Sequence, residues 1–171
     1  MEYNVRKAKK SEFEAVRQLY WEVIDHPSNP GWVKGDYPSD EMIATAIANG
    51  EMYVLITGDE MSGAMILNHN CTDGYEKVTW QTKAAPDEVM VIHALTVHPQ
   101  FSRMGLAKAL VSKAFEIARS NNCKAIHLDV IEHNVAAQTL YQAMGFHICG
   151  EIRLYYSCVG EKTFIMMEYP L

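Results

Sequence analysis

Apolar and polar residues alternate with two different periods near the start of the chain, and these periods predict a strand followed by a helix. Tyr3–Ala8 alternates with the period of two that is typical of a half-buried strand. From Phe13 onwards, apolar residues recur every three to four positions, as in an amphipathic helix. Ser11–Glu14 has the spacing of a capping box for this helix, and His26-Pro27 ends it.

The same reading divides the rest of the chain into helices and strands in mixed order, which predicts an α/β fold. Two stretches, Pro27–Pro38 and Asn68–Glu88, lack a regular period and are expected to be loops. The remaining predicted elements are a helix between Ser39 and Gly50, strands over Met52–Thr57, Met61–Leu67, Val89–Val97 and Lys124–Ile131, helices over Leu106–Ala118 and Asn134–Met144, and a closing hairpin of Phe146–Ser157 and Lys162–Tyr169. With 171 residues, a single domain over 1–171 is expected.

Composition and charge narrow the class of protein. The formal net charge of −6 argues against a nucleic-acid binder, which would carry a basic stripe. No apolar run approaches the ~20 residues that cross a bilayer, and the first residues lack the apolar stretch of a signal peptide. We therefore expect a cytoplasmic protein without a membrane partner. The cysteines show no Cys-x-x-Cys pairing and are expected to be reduced thiols: Cys71, Cys123, Cys149 and Cys158. The histidines show no metal-ligand spacing, so no metal site is expected.

The segment between the Val89–Val97 strand and the Leu106–Ala118 helix carries the clearest candidate chemistry. A strand that turns directly into a helix leaves the first helical N–H groups unpaired, and together with the helix dipole they form an anion site. Gly105 permits close approach to the backbone, and Arg103 and Lys108 add positive charge. The turn contains neither the Walker pattern nor the three spaced glycines of the dinucleotide fingerprint.

Two motifs resemble those of the GNAT family, the Gcn5-related N-acetyltransferases. Ser102-Arg103-Met104-Gly105-Leu106-Ala107 resembles motif A, Arg/Gln-x-x-Gly-x-Gly/Ala, although Ser stands at its first position. The segment from Asn134 to Phe146 resembles motif B, Asn-x-x-Ala-x-x-Leu-Tyr-x-x-x-Gly-Phe. Both motifs occur in the family's order, and the family's elements can be followed from Tyr3 to Glu168.

This resemblance implies a GNAT fold, in which a mostly antiparallel central sheet is splayed at the cofactor site and flanked by helices. It also implies that an acetyl group moves from acetyl-coenzyme A (acetyl-CoA) to a primary amine by direct attack. We expect this acceptor to be a small molecule. The residues that the resemblance assigns to the coenzyme are Leu95, Thr96, Val97, Arg103, Met104, Gly105, Leu106, Ala107, Lys108, Asn134 and Tyr141.

The catalytic assignments each compete with a structural alternative. The resemblance makes Tyr141 the acid that protonates the departing thiolate, whereas helical spacing alone favours a core tyrosine. Asn134 contacts the pantetheine arm in the resemblance, yet it also has the position of a helix N-cap. His93 is the candidate base, with a packed core histidine as its alternative and Glu88 and Asp87 as other bases.

Aromatic residues outside both motifs are candidates for binding the acceptor. Trp32, Tyr37, Tyr75 and Tyr155 lie in the two predicted loops and the last hairpin. Aromatic rings bind amines through cation–π contacts, but they are equally typical of subunit interfaces, so a homodimer is the alternative. Three other functions stay open: a non-catalytic coenzyme-binding sensor, a protein N-terminal or lysine acetyltransferase, and an interaction protein that uses the fold alone.

Overall fold

The computed structural model describes residues 2–156 and 160–171 of the chain, and within them it contains four α-helices and seven strands. The predicted strand end at Ser157, the thiol of Cys158 and the turn residue Val159 lie outside the described residues. The helices are α1 (Phe13–Asp25), α2 (Asp40–Ala48), α3 (Leu106–Ser120) and α4 (Val135–Ala143), and the strands are β1 (Tyr3–Lys7), β2 (Met52–Thr57), β3 (Glu60–Asn68), β4 (Val89–Val97), β5 (Ala125–Ile131), β6 (His147–Tyr156) and β7 (Gly160–Pro170).

The strands pair in the order β1-β2-β3-β4-β5-β7-β6. Antiparallel ladders join β1 to β2, β2 to β3, β5 to β7 and β6 to β7, whereas β4 and β5 run parallel. The predicted mixed α/β fold with a mostly antiparallel sheet is therefore confirmed. The chain divides into two compact units, and both β4 and α3 contribute residues to each of them.

The first unit comprises residues 2–67 and 94–113. The apolar faces of α1 and α2 pack on β2 and β3, and this core is built from fully or nearly fully buried side chains, among them Val16, Tyr20, Ile43, Met52 and Ile66. Ser39 caps α2 as predicted, because its hydroxyl accepts a hydrogen bond from the Met42 amide at 3.1 Å.

The start of α1 differs from the prediction. The Ser11–Glu14 capping box is wrong, because a 3₁₀ turn over Lys10–Glu12 precedes the helix, and the carboxylate of Glu12 accepts the Lys9 N–H at 2.7 Å. Glu12 is held there by two hydrogen bonds from the Arg6 guanidinium, at 2.7 and 2.8 Å. This pairing with Arg6 lowers the pKa of Glu12 to about 2.

The second unit comprises residues 68–93, 114–156 and 160–171. Its strands enclose a buried cluster of Tyr75, Val91, Ile152 and Met166. Helix α4 ends as predicted, with Gly145 after it at φ +95°, the left-handed conformation that glycine adopts without strain. A side chain at Gly145 would also meet the Tyr169 ring at 3.0 Å.

No helix among the described residues has both the length and the apolar character needed to cross a membrane.

Candidate active site

The turn between β4 and α3 has the open backbone that an anion site needs. Arg103 has φ +61° and Gly105 has φ +78°, so the chain reverses direction sharply before the helix begins. The Ala109 amide donates to the Gly105 carbonyl at 3.2 Å, as the first hydrogen bond of the helix. Since an α-helix provides no internal acceptor for its first amides, the N–H groups up to Lys108 are available for an external anion.

The turn also has open space for a ligand next to these amides. A Cβ built on Gly105 has no neighbour within 4 Å, so the backbone is bare on that side. Ser102, Arg103, Met104 and Lys108 are exposed around it. Leu106 is buried and anchors the first turn of the helix to the core. The fit to a phosphate-bearing ligand is therefore good.

Strand β4 is distorted just before its last three residues. Ala94 has φ +48°, which is rare for a residue with a side chain, and its carbonyl accepts a hydrogen bond from the buried Tyr20 hydroxyl at 2.8 Å. Burial raises the pKa of Tyr20 above its ordinary value, which keeps this donor protonated. The Tyr20 contact holds the irregular backbone in place, in the manner of a bulge that redirects a strand.

At the end of β4, the backbone groups of alternate residues point away from β3. The His98 amide donates to the Ser62 carbonyl on β3 at 2.9 Å. A Cβ on Gly63 would lie 2.9 Å from the Thr96 carbonyl oxygen, so β3 approaches β4 closely there. Because backbone groups alternate sides along a strand, those of Leu95 and Val97 point away from β3. Within the described residues, β4 pairs with β5 only over Val89–Val91.

Asn134 is the N-cap of α4, as one of its two predicted roles requires. Its Oδ1 accepts a hydrogen bond from the Ala137 amide at 3.2 Å. This bond occupies the oxygen and leaves the side-chain NH₂ as the group that a ligand would contact. The structural role is therefore present, and the ligand role stays a prediction.

Tyr141 is buried in α4, with 6% of its surface exposed. Its ring packs edge-on against Phe146, with 5.4 Å between the ring centroids. Burial, and then the negative charge of Asp129, raise the pKa of Tyr141 above its ordinary value. The phenol is consequently protonated throughout the physiological range.

Asp129 lies at the centre of a polar cluster that sequence reasoning missed. The Tyr75 hydroxyl donates to its Oδ1 at 2.7 Å. Burial raises the pKa of Asp129, while the hydrogen bond from Tyr75 and the charge of His93 act in the opposite direction. A carboxyl with a raised pKa beside a histidine and a tyrosine is typical of a site that moves protons.

His93 contributes to this cluster through its charge, and its role as a base or as a packed core residue stays a prediction. It is partly exposed, and its Nε2 lies 3.1 Å from Asn68 Oδ1. An amide oxygen accepts hydrogen bonds only, so His93 Nε2 is the donor to Asn68. The other candidate bases are less suitable. Glu88 pairs with Lys124 at 2.8 Å, and this partner, followed by the Ala85 amide, lowers its pKa. Asp87 is exposed at the surface.

The predicted acceptor-binding aromatics have different environments. In the first unit, Trp32 and Tyr37 are half-buried and pack edge to face with 5.8 Å between ring centroids. In the second unit, Tyr75 is 3% exposed and its hydroxyl is bonded to Asp129, and its predicted contact with the acceptor stays a prediction. Tyr155 is 77% exposed on β6.

The alternation of β5 explains why Asp129 was missed. Ile126, Leu128 and Val130 are buried, as their period of two predicts. The same period assigns His127 and Asp129 to a solvent-facing side, yet His127 is buried as well and Asp129 is enclosed by Tyr75. A polar residue at every second position of a strand gives no sign that a long loop covers it.

Comparisons with known proteins agree with the geometry. The family model described as the acetyltransferase (GNAT) family matches residues 8–146. The chain is 27% identical over 111 residues to the ribosomal protein bS18-alanine N-acetyltransferase of Escherichia coli, covering 64% of this chain and 74% of the relative. It is 20% identical over 141 residues to the thialysine N-epsilon-acetyltransferase of Bos taurus, covering 82% of each. The structure of yncA from Salmonella typhimurium, solved with its cofactor acetyl-CoA, superposes with a TM-score of 0.70 at 18% identity, covering 100% of this chain and 95% of the other.

Proposed function

Because the chain belongs to the GNAT acetyltransferase family and is therefore an acetyl-CoA-dependent N-acetyltransferase, we propose that it acetylates a primary amine by direct attack of that amine. The observation that carries this proposal is the exposed β4–α3 turn, with bare space at Gly105 in front of the first amides of α3. Cys71, Cys123 and Cys149 all lie outside the two motifs. We therefore expect no acyl-enzyme on these thiols, which favours direct attack.

The amides from Arg103 to Lys108 would hold the pyrophosphate of acetyl-CoA, and the exposed side chains of Arg103 and Lys108 would add charge. The outward-facing backbone groups of Leu95 and Val97 would bind the pantetheine arm in the manner of an added strand. When bound, acetyl-CoA supplies the acetyl group as a reactive thioester. Asn134 would donate its NH₂ to the same arm.

His93 and Asp129 together would accept protons from the acceptor nitrogen. The neutral imidazole would accept the proton, and Asp129 stabilises the imidazolium that forms. Because the charge of His93 acts on Asp129, we assign the acidic limb of a pH–rate profile to the two groups together. We assign the base role to this pair rather than to His93 alone.

Tyr141 would donate its hydroxyl proton to the departing sulfur. Its raised pKa ensures that the proton is present, at the expense of acid strength. Two protons leave the acceptor nitrogen during acetylation: one is released to solvent, and the other restores the proton that Tyr141 gives up.

The acceptor that we propose first is a small-molecule amine. The half-buried Trp32–Tyr37 pair and the net charge of −6 both favour a compact cation. A protein N-terminal amine is the second candidate, because the Escherichia coli relative is named for the alanine of a ribosomal protein. We also propose that residues 1–171 form one domain, since the family match draws on both units, and that the protein is cytoplasmic, as its free thiols suggest.

A panel of acceptors assayed for release of free thiol from acetyl-CoA tests the proposal. The panel pairs a free lysine analogue and a polyamine with peptides that begin in alanine and with the same peptides blocked at the N-terminus. The first candidate predicts turnover with the free amines and none with the peptides; the opposite pattern selects the protein N-terminus. If the protein binds acetyl-CoA but no amine raises thiol release above the rate of hydrolysis, transfer to an amine is refuted.

A further inference from the structure

Three neighbouring strands place ionisable side chains in one row across the sheet of the second unit. Glu168 on β7 is the register partner of His127 on β5 and of His147 on β6. Directly paired residues project on the same side of a sheet, so the three side chains meet. Glu168 is completely buried, and its Oε2 lies 2.8 Å from His127 Nε2.

The other side of Glu168 contains an unpaired nitrogen. His147 Nε2 lies 3.5 Å from Glu168 Oε1, is itself shielded from solvent, and has no hydrogen-bond partner among the residues that the structure describes. Cys149, two residues further along β6, directs its sulfur to the same place, so that His147 Nε2, Cys149 Sγ and a Glu168 carboxylate oxygen lie within 4.8 Å of one another. A buried nitrogen without a partner is costly and requires an explanation.

A loop covers this row and fixes the outer partners of the cluster. Trp80 stacks on His127, with 3.7 Å between ring centroids and 11° between planes. The Thr82 amide and hydroxyl both donate to Glu168 Oε1, at 3.0 and 3.2 Å. The Gln81 backbone amide faces the Cys149 sulfur. Hydrogen bonds of this kind orient the ligands of metal ions in proteins.

We propose that His147, Cys149 and Glu168 bind one Zn²⁺ ion, with water in the fourth position. An imidazole, a thiolate and a carboxylate are the three side-chain types that zinc accepts, and this mixture favours zinc over the hard cations Mg²⁺ and Ca²⁺. His127 does not bind the ion in this scheme; it holds the second oxygen of Glu168 and so positions the carboxylate. Binding displaces the thiol proton of Cys149.

The distances require only small side-chain rotations. Two ligands of one zinc ion can be at most ~4.4 Å apart, because Zn–S and Zn–N bonds measure ~2.3 and ~2.1 Å. His147 Nε2 and Glu168 Oε1 already satisfy this limit at 3.5 Å. The site was invisible in the sequence because its ligands are spread over two strands, with Glu168 19 positions after Cys149.

The test measures zinc in the full-length protein after removal of any affinity tag and treatment with a chelator. Zn²⁺ is restored in a buffered solution, and its stoichiometry and dissociation constant are determined by elemental analysis and by competition with a chromophoric chelator. Co²⁺ then replaces zinc as an optical probe, since a thiolate ligand gives a charge-transfer band. The variants are Cys149→Ser and His147→Gln, with Cys71→Ser as the matched control at an exposed thiol outside the cluster. Circular dichroism and cooperative melting confirm that each variant folds.

We expect one zinc ion per chain, binding at least ~10-fold weaker in each of the two ligand variants, and unchanged binding in Cys71→Ser. Of the two cysteine variants, Cys149→Ser should lack the cobalt–thiolate band and Cys71→Ser should keep it. The proposal is overturned if the wild-type protein retains no zinc, if either ligand variant binds zinc as tightly as wild type, or if Cys71→Ser abolishes binding. In those cases the row is a His–Glu–His group without a metal, in which Glu168 is hydrogen-bonded to His127 and in ion-pair contact with His147.

Discussion

The β4–α3 turn and the Asp129 cluster differ in almost every physical respect. The turn is exposed and consists of backbone: a bare glycine, helix amides and two residues with positive φ. The cluster is enclosed and consists of side chains from separate parts of the chain, namely Tyr75, His93, Asp129 and Asn68. This contrast suggests a division of labour, in which the turn binds the coenzyme and the cluster, with Tyr141, moves protons.

The most severe test of this division is Gly105→Glu. A carboxylate in the bare space would face the pyrophosphate at about 4 Å, where like charges repel by ~4 kcal/mol at an effective dielectric constant of ~20. We expect calorimetry to show acetyl-CoA binding weakened by at least ~10²-fold. Gly58→Glu is the matched control, because Gly58 also has positive φ and open space but lies in the β2–β3 hairpin. Equal affinity losses in the two variants would mean that strain, rather than the cradle, is responsible.

Tyr141→Phe should separate chemistry from binding. Removing the hydroxyl should lower kcat by ~10²-fold or more if the phenol protonates the thiolate, and it should leave the dissociation constant of acetyl-CoA unchanged. The control is Tyr53→Phe, since Tyr53 is another buried tyrosine with a raised pKa, located in the first unit. Full turnover by Tyr141→Phe would return this residue to a packing role.

Asp129→Asn should lower activity while raising stability. The amide can still accept the Tyr75 hydrogen bond, so the fold is kept, but the proton-accepting pair is broken. We expect kcat/KM to fall by ~10-fold or more. A carboxyl whose folded-state pKa is raised favours folding only while protonated, and that contribution is lost as the pH rises through the folded-state pKa. The variant should therefore melt at a higher temperature than wild type at neutral pH, with the difference disappearing below about pH 4.

The pH profile of His93→Gln distinguishes the two members of the pair. Glutamine can maintain the contact with Asn68 but cannot accept a proton. If the pair acts as a coupled unit, both variants lose the acidic limb of kcat/KM that wild type shows. If His93→Gln keeps the limb and Asp129→Asn removes it, Asp129 alone is the base, and the assignment of His93 is wrong.

Asn134→Asp should have the smallest effect. Aspartate caps helices as well as asparagine does, so α4 should keep its stability, whereas Asn134→Ala should lose ~1 kcal/mol. Aspartate lacks the NH₂ donor, and the loss of one hydrogen bond to the coenzyme should weaken acetyl-CoA binding roughly 2- to 10-fold. Unchanged affinity in a calorimetric titration would leave Asn134 as a cap only.

The contrast also explains what the sequence could predict. Backbone-built features follow from local residues, so the turn at Gly105, the Asn134 cap and the mixed order of helices and strands were all readable from short motifs and hydrophobic periods. The start of α1 was misread because the Arg6–Glu12 pair, which is not a local capping motif, fixes the chain there. The Asp129 cluster and the His147–Cys149–Glu168 group depend on which strands become neighbours and on a loop that covers them, and no spacing along the chain encodes that.

The most direct test of the division is a single-turnover titration with enzyme in excess over the acceptor amine and acetyl-CoA varied, because it yields a half-saturating concentration and a maximal rate from one curve. We expect Gly105→Glu to raise the half-saturating concentration by at least ~10²-fold, whereas Tyr141→Phe should lower the maximal rate by a similar factor at unchanged half-saturation. If both variants change the same parameter, or if each changes the parameter assigned to the other, the turn and the cluster do not have separate roles.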